Sequence, residues 1–477
     1  MSAIQSAYKA LTGTPKNRLQ MMASPSKLSR QAEAAAAFLR RAGAGRGQPL
    51  AAVIDSAEVL CVLAHAAAAL GCPLFPIDPA LPDAAIEDLL TQAAADMVVG
   101  DRAFPGRNAV SGAEILAAVP ASVAPSAHDA DDIALMVATS GSSGRPKVVM
   151  LSAANLRAAA HASAARTPLG PGDRWLACLP LFHIGGYSIL GRCAYAGAEA
   201  VVQQGFDPER VWHALATARI THLSLVPAML SQLLDISAAA PPISLRHVLV
   251  GGAALSSELA ERAAERAWPI QPTYGMSETA SQVATLPALP RPWRQGNVGR
   301  PLPGVEVGLD PDGRLRLRGP MVMAGYANPG RISGDGLEDG WFVTSDLAEI
   351  TAAGELVMLG RIDDVIITAG KKVLPAMVED ALARCPGIDA VGVVGRKDAV
   401  WGEVVTAVYS GTPTPAEVLG WCRDHVGGAL RPRAAVRVAV LPRLANGKPD
   451  RSALRRLAAG DAAEPGAIPQ DQLATTQ

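Results

Sequence analysis

Short apolar runs rich in Val, Ile and Leu alternate along the chain with Ala-rich stretches whose apolar residues recur at helical spacing. That is the rhythm of an α/β protein with largely parallel sheets. The segments 51-AAVID-55, 57-AEVLCVLAHAAAALG-71 and 73-PLFPID-78 predict the strand, helix and strand of a βαβ unit. Further strands are predicted at 133-IALMVAT-139, 199-EAVVQ-203, 221-THLSLV-226 and 246-RHVLVGG-252, each followed by a helix. Near residue 298 the pattern changes to short strands divided by Gly and Asp turns: 304-GVEVGL-309, 314-RLRLRG-319, 341-WFVTSDLAEI-350 and 355-ELVMLG-360. Beyond 361-RIDDVI-366 it is mixed again, with helices at 375-PAMVEDALARC-385 and 415-PAEVLGWCRDHV-426 and strands at 390-AVGVVG-395 and 404-VVTAVYS-410. The expected fold class is α/β, with two parallel-rich subdomains, a β-rich lobe and a small α+β C-terminal domain.

Composition narrows the picture. At roughly 100–200 residues per domain, 477 residues allow about three lobes, and 49% hydrophobic against 18% charged residues excludes global disorder. The 43 Lys and Arg nearly balance the 44 Asp and Glu, so no strong field draws polyanions and nucleic acid is not an expected partner. Six cysteines show neither CxxC nor metal-ligand spacing, which reads as reduced, buried thiols. The uncharged stretch from Val59 to Ile77 has the length of a membrane span, but Gly71, Pro73 and Pro76 interrupt it and His65 lies within it. No membrane span is expected. The N-terminal residues lack the apolar h-region of a secretory signal, so a cytoplasmic location is expected, and the polar residues 458–477 read as a disordered tail.

Candidate chemistry begins at 138-ATSGSSGRPK-147, where a strand runs into a loop of Gly and hydroxyl residues ending at Lys147; Ser152 then caps a helix. Gly141 and Gly144 permit a tight backbone, Thr139, Ser140, Ser142 and Ser143 add donors, and Lys147 adds charge. Such a loop suits phosphate, though a solvent-exposed strand-to-helix turn reads equally well from these residues alone. It is not a Walker A motif, which needs four residues between its glycines and a GK[ST] ending.

Five stretches in order, 139-TSGSSGRPK-147, 274-YGMSET-279, 340-GWFVTSD-346, 361-RIDDVI-366 and 446-NGKPDR-451, resemble the adenylate-forming acyl-CoA synthetases, which share their fold with nonribosomal-peptide adenylation domains and beetle luciferases. The resemblance spans nearly the whole chain. It implies that a carboxylate attacks the α-phosphate of ATP to give acyl-AMP and pyrophosphate, and that a thiol then displaces AMP. ATP, Mg2+ and coenzyme A are the implied cofactor and co-substrates, and a small carboxylic acid is the implied substrate. A carrier protein in place of coenzyme A, a homodimeric assembly and a non-catalytic nucleotide-binding relative remain open.

By the same resemblance Thr139, Ser140, Gly141, Ser142, Ser143, Gly144 and Lys147 hold the phosphates, and Glu278 is the magnesium ligand. Tyr274 stacks on adenine, Ser277 meets the α-phosphate, Gly252 and Ala253 pass beside the base, Asp346 binds the ribose, and Arg361 reaches ribose or phosphate. Asp363 is the implied hinge between domains 1–361 and 363–457, the latter a mobile lid. Lys448 serves adenylation and Gly370 lines the thiol tunnel. Two departures stand out: Ser345 replaces a usual Gly, and Lys371 and Lys372 replace a usual Glu-Asn. Those lysines suit coenzyme A phosphates, an acidic carrier or plain solvent.

The implied acyl pocket comprises His183, which guards its mouth, with Gly185, Gly186, Ser188, Val226 and Gly251. The stretches 179-LPLFHIGGYSIL-190 and 273-TYGMSETASQVATL-286 are most similar to the o-succinylbenzoate-CoA ligases of menaquinone synthesis. Gly185, Gly186, Gly251 and Gly252 are then expected to clear space for a ring-bearing acid, with another aryl or a medium-chain acid as the alternative. A second substrate carboxylate needs a donor, for which Arg192, Ser188 and Tyr187 are the candidates.

Overall fold

A computed structural model describes residues 25–119, 128–139, 146–328, 333–443 and 449–460. The chain divides into two compact units, one ending at Met358 and the other starting at Leu359, just ahead of the expected boundary at Arg361.

In unit 1 a seven-stranded sheet runs, edge to edge, Gly325–Tyr326, Lys147–Ser152, Ile133–Thr139, Leu74–Ile77, Leu50–Val53, Met97–Gly100 and Asn108–Val110. Strands from Ile133–Thr139 onward are parallel; the two before it pair antiparallel. Leu50–Val53 lies in register with Leu74–Ile77 through helix Ala57–Leu70, the expected βαβ unit. Ser56 caps that helix by accepting from the Val59 N–H, and left-handed Gly71 ends it. Most of its circumference is buried, including Val59, Leu60, Cys61, Val62 and Leu63, which explains its spanning-helix composition. Among the described residues no helix is long and apolar enough to cross a membrane.

A six-stranded sheet follows in the order Ser281–Thr285, Ile270–Met276, His247–Val250, His222–Leu225, Arg174–Ala177 and Glu199–Val202. All neighbours are parallel except the hairpin of the first two. The carboxyl ends of the parallel strands therefore share one edge, where open α/β sheets bind ligands. The expected β-rich lobe is a sheet of five strands, Asn297–Gly299, Leu356–Arg361, Phe342–Ile350, Arg314–Arg318 and Glu306–Leu309. Leu315 and Leu317 face its core, while the intervening Arg314, Arg316 and Arg318 face outward, the period-two pattern of a one-sided sheet.

Unit 2 is built on the long antiparallel pair Ile388–Asp398 and Gly402–Gly411, extended by Ile366–Thr368 and Lys371–Val373 on one path and by Ala434–Arg437 in parallel. Helices Pro375–Ala383 and Pro415–His425 cover a core that includes Val378, Leu382, Val405, Tyr409 and Cys422. Helix Arg451–Ala459 corrects one expectation: 458–460 are not tail. Leu454 and Ala458 recur at helical spacing and pack on Val394, Val408 and Leu441, and left-handed Gly460 caps the end. The rest of the expected tail, 461–477, lies outside the described residues.

Candidate functional site

The Gly/Ser loop is not a strand-to-helix turn. Ile133–Thr139 and Lys147–Ser152 are antiparallel, with Thr139 opposite Lys147, so the loop joins a hairpin. Ser152 does cap helix Ala153–Arg166, in a reciprocal box with Asn155. That helix start lies a whole strand beyond Lys147, about 17 Å at ~3.4 Å per residue, so its dipole contributes nothing at the loop. Ser140, Gly141, Ser142, Ser143 and Gly144 lie outside the described residues.

Glu278 sits on the 3-10 turn Ser277–Thr279 at the tip of the Ile270–Met276 and Ser281–Thr285 hairpin. Gly275 allows this hairpin to close, since a Cβ there would stand 1.6 Å from the Ser281 carbonyl oxygen. The buried Thr279 hydroxyl braces the turn on the Met276 and Ser281 carbonyls. The Glu278 carbonyl accepts from the Met323 N–H at 2.8 Å. Edge strand Gly325–Tyr326 follows, pairing with Met150 and Val149, and it delivers a residue that the sequence reading did not single out. The Tyr326 hydroxyl donates to Glu278 Oε1 at 2.8 Å, and its ring receives the Lys147 ammonium 4.6 Å from the centroid. Burial raises the Glu278 carboxyl above its ordinary range, and Asp346 adds to that; the Tyr326 hydrogen bond and Lys147 oppose it.

Tyr274 and Asp346, from hairpin and β-rich lobe, meet directly: the phenol donates to Asp346 Oδ2 at 2.6 Å. Burial, then the Asp346 charge, hold the phenol well above its ordinary pKa, so it stays a donor. Thr344, also missed in the sequence, accepts from the Asp346 N–H at 3.0 Å and fixes the strand turn that presents the carboxylate. Ser277 opens the 3-10 turn beside Tyr274, and Ser345 adjoins Asp346 on strand Phe342–Ile350.

The expected acyl-pocket residues fall at the sheet edge and the start of helix Ile184–Ala196. His183 is its N-cap by backbone, without a side-chain cap bond, and its ring meets Phe182 edge-on at 4.8 Å. Val226 is the N-cap position of helix Pro227–Ile236 and lies against Gly252, where a Cβ would stand 3.3 Å from Val226 Cγ1. Ala253 follows in the same turn. The glycines have different reasons for being glycine. At Gly186 a Cβ would meet the Pro180 carbonyl oxygen at 2.3 Å, and at Gly251 it would meet Thr273 Cγ2 at 2.7 Å. Both are demanded by backbone packing, which corrects the expectation that they clear pocket space. Gly185, with only Leu179 Cδ1 at 3.6 Å, keeps an open side, whereas Gly252 is favoured by its left-handed backbone at φ +78°.

The three donors proposed for a second carboxylate differ in availability. The Ser188 hydroxyl turns back toward the Gly185 carbonyl at 3.5 Å, and Tyr187 packs against the core that includes Cys61, Trp175 and Cys193. Arg192 is 4% exposed, lies 5.4 Å over the Trp175 ring, and its Nη2 has no hydrogen-bond partner among the described residues. Burial pulls its guanidinium down to about 10. Trp175 in turn donates to Ser224 Oγ at 3.1 Å, two residues before Val226, and stacks on His222, which stacks on His247.

In unit 2, Arg361 pairs with Asp363 at 3.0 Å, both exposed, and Asp364 is held by Arg455 at 2.8 Å. Gly370 and Ala369 form the two-residue turn between Ile366–Thr368 and Lys371–Val373, both at positive φ. Lys371 and Lys372 are exposed. The Ala369 N–H donates to the Trp401 carbonyl at 2.9 Å, and Arg433 stacks on the Trp401 ring at 3.8 Å. Lys448 lies outside the described residues.

No group of three or more His, Cys, Asp or Glu side chains is arranged to hold a metal among the described residues. The half-buried Glu278 carboxylate beside Lys147 is instead suited to an ion that arrives with a polyphosphate, the usual mode for Mg2+.

A platform that opposes a carboxylate and a lysine at one place, and an aromatic ring and a second carboxylate at another, is suited to the two ends of a nucleoside triphosphate. It defines the class of enzymes that activate an acid on a nucleotide. The chain belongs to the AMP-binding enzyme family, whose model matches residues 23–327, and the AMP-binding enzyme C-terminal domain matches 377–448. It is 32% identical over 437 residues to a 2-succinylbenzoate–CoA ligase of Bacillus cereus, covering 88% of this chain and 90% of that protein. A 2-succinylbenzoate–CoA ligase of Bacillus mycoides matches to the same extent. The fold is similar to that of o-succinylbenzoate CoA synthetase (MenE) from Bacillus subtilis in complex with the acyl-adenylate intermediate OSB-AMP, with a TM-score of 0.82, 27% identity, and 92% and 93% of the two chains covered. ATP-bound MatB from Rhodopseudomonas palustris also scores 0.82, at 26% identity over 90% and 92% of the chains.

Proposed function

We propose that this protein is an ATP-dependent, AMP-forming ligase that joins o-succinylbenzoate to coenzyme A. A carboxylate oxygen of the acid attacks the α-phosphorus, the bond to the β-phosphate bridging oxygen breaks, and pyrophosphate leaves with that electron pair. The coenzyme A thiol, losing its proton to solvent, then attacks the acyl carbon, and the bond to AMP breaks. Positioning and charge neutralisation carry both steps. Lys147 and the Gly/Ser loop grip the terminal phosphates, Ser277 meets the α-phosphate, Tyr274, Gly252 and Ala253 hold the base, and Asp346 and Arg361 hold the ribose and phosphate. Glu278 would hold Mg2+, which would supply charge neutralisation on the polyphosphate. Lys448 serves adenylation, and Asp363 is the hinge on which unit 2 exchanges that lysine for the Gly370 turn.

The observation that carries the choice of acid is Arg192. A buried guanidinium without a counter-charge is costly, and a substrate with a second carboxylate supplies the missing partner. The names of the relatives point to the same acid. Coenzyme A, rather than a carrier protein, is supported by the exposed basic side chains Lys371, Lys372 and Arg433 around the Gly370 turn, which suit its phosphates. ATP–pyrophosphate exchange over a panel of acids, followed by thioester formation, tests the reading. Exchange with o-succinylbenzoate well above benzoate and medium-chain acids is expected. No exchange with any acid refutes the ligase, and equal exchange with benzoate refutes the role of the second carboxylate.

A further inference from the structure

Glu278 and Lys147 have opposite tasks toward a polyphosphate, and they come from segments far apart in the chain. What joins them is Tyr326. Its strand is placed by pairing with the strand that Lys147 begins, with Ala324 N–H donating to Met150 O at 2.9 Å and Ala327 N–H to Val148 O at 2.7 Å. Its ring is seated against Gly336, where a Cβ would stand 2.5 Å from Tyr326 Cδ2, so this glycine at φ +83° is what admits the ring. From that seat the hydroxyl reaches Glu278 and the ring face meets the Lys147 ammonium.

We infer that Tyr326 is a positioning residue for Mg·ATP binding: its hydroxyl aims the Glu278 carboxylate, and its ring aims the Lys147 ammonium. The two halves of the side chain divide the work. The hydroxyl acts on the group that serves the metal, while the ring acts on the group that serves phosphate whether or not metal is present. Without the hydroxyl, Glu278 loses its one side-chain donor among the described residues and its rotamer is freed. Without the ring, Lys147 loses the surface that holds its flexible, exposed stem.

The inference rests on the ligase reading, and the test separates the two. Calorimetric titration of the full chain with ATP, once with Mg2+ and once with EDTA, is run on wild type, Tyr326→Phe and Tyr326→Leu. Loss of a hydrogen bond to a charged group predicts that Tyr326→Phe binds Mg·ATP about tenfold more weakly. Its binding of metal-free ATP should match wild type. Tyr326→Leu should weaken metal-free ATP as well, by roughly threefold or more, as a cation–π contact is lost. Unchanged Mg·ATP affinity in Tyr326→Phe, or equal weakening with and without metal, overturns the assignment. The second result is what a merely structural tyrosine would give. Should wild type bind no ATP, the ligase reading itself fails. If Tyr326→Leu does not fold, the metal dependence of Tyr326→Phe still decides.

Discussion

Replacing Arg192 by Met asks whether a buried cation is kept for stability or for substrate. A guanidinium held at about 10 rather than 12.5 carries roughly 3 kcal/mol of uncompensated desolvation. That penalty is present throughout the neutral range, because the pH lies below both values and the group is charged in the folded and unfolded chain alike. Met matches the length of the stem and preserves most of its packing. The substitution forfeits the contact with Trp175, worth about 1–2 kcal/mol when desolvated, so the net expectation is a gain of about 1–2 kcal/mol. For a unit of this size the melting temperature should rise by roughly 1–3 °C. Function should move the other way. A charge-assisted bond to a carboxylate is worth about 1.5–3 kcal/mol, so KM for o-succinylbenzoate should rise about 10- to 100-fold while KM for benzoate stays put. Calorimetry and pyrophosphate exchange on one preparation read both. A lower melting temperature with an unchanged KM would show Arg192 to be a structural cation and refute the reasoning.

Three further outcomes are expected. Lys448→Ala should lose acyl-AMP formation yet convert preformed acyl-AMP to thioester; wild-type adenylation by the mutant would remove Lys448 from the mechanism. His222, fully buried and bonded to the Pro168 carbonyl and the Thr221 hydroxyl, is pulled down to about 4 by burial and then by His247. The unfolded chain therefore binds its proton first as pH falls, and about 3 kcal/mol of stability, complete above pH 6.5, should be lost on descending to about 4. Urea midpoints across that range should fall in wild type and flatten in His222→Gln. Ala369 holds φ +49° in the turn before Gly370, a conformation costing an alanine about 1 kcal/mol. Ala369→Gly should raise the urea midpoint of unit 2 accordingly; a lower one would show the turn to be unstrained.

Local periodicity and turn chemistry made the element types readable. The strand Ile133–Thr139, the helix Ala57–Leu70 behind Ser56, and the change to short strands past residue 298 all follow from spacing along the chain. The resemblance of five short motifs to a known family marked Glu278, Tyr274, Asp346, Lys147 and Arg361 as candidates, because each motif is a local run that can be read without its partners. Pairing across distance was not readable. Lys147–Ser152 forms an antiparallel strand opposite Ile133–Thr139, so the Gly/Ser segment links a hairpin. The same strand then holds Gly325–Tyr326, so a tyrosine with no motif of its own reaches Glu278. Whether Gly186 and Gly251 open a pocket or admit a backbone depended on what lies opposite each, and the neighbours proved to be Pro180 and Thr273. The sequence alone determined the family and the elements and nominated candidate side chains, since these depend on neighbours within a few residues. Only the tertiary structure decided which of them meet and that the Arg192 charge stands buried and unpaired among the described residues, because register and burial are set by segments that the chain brings together from far apart.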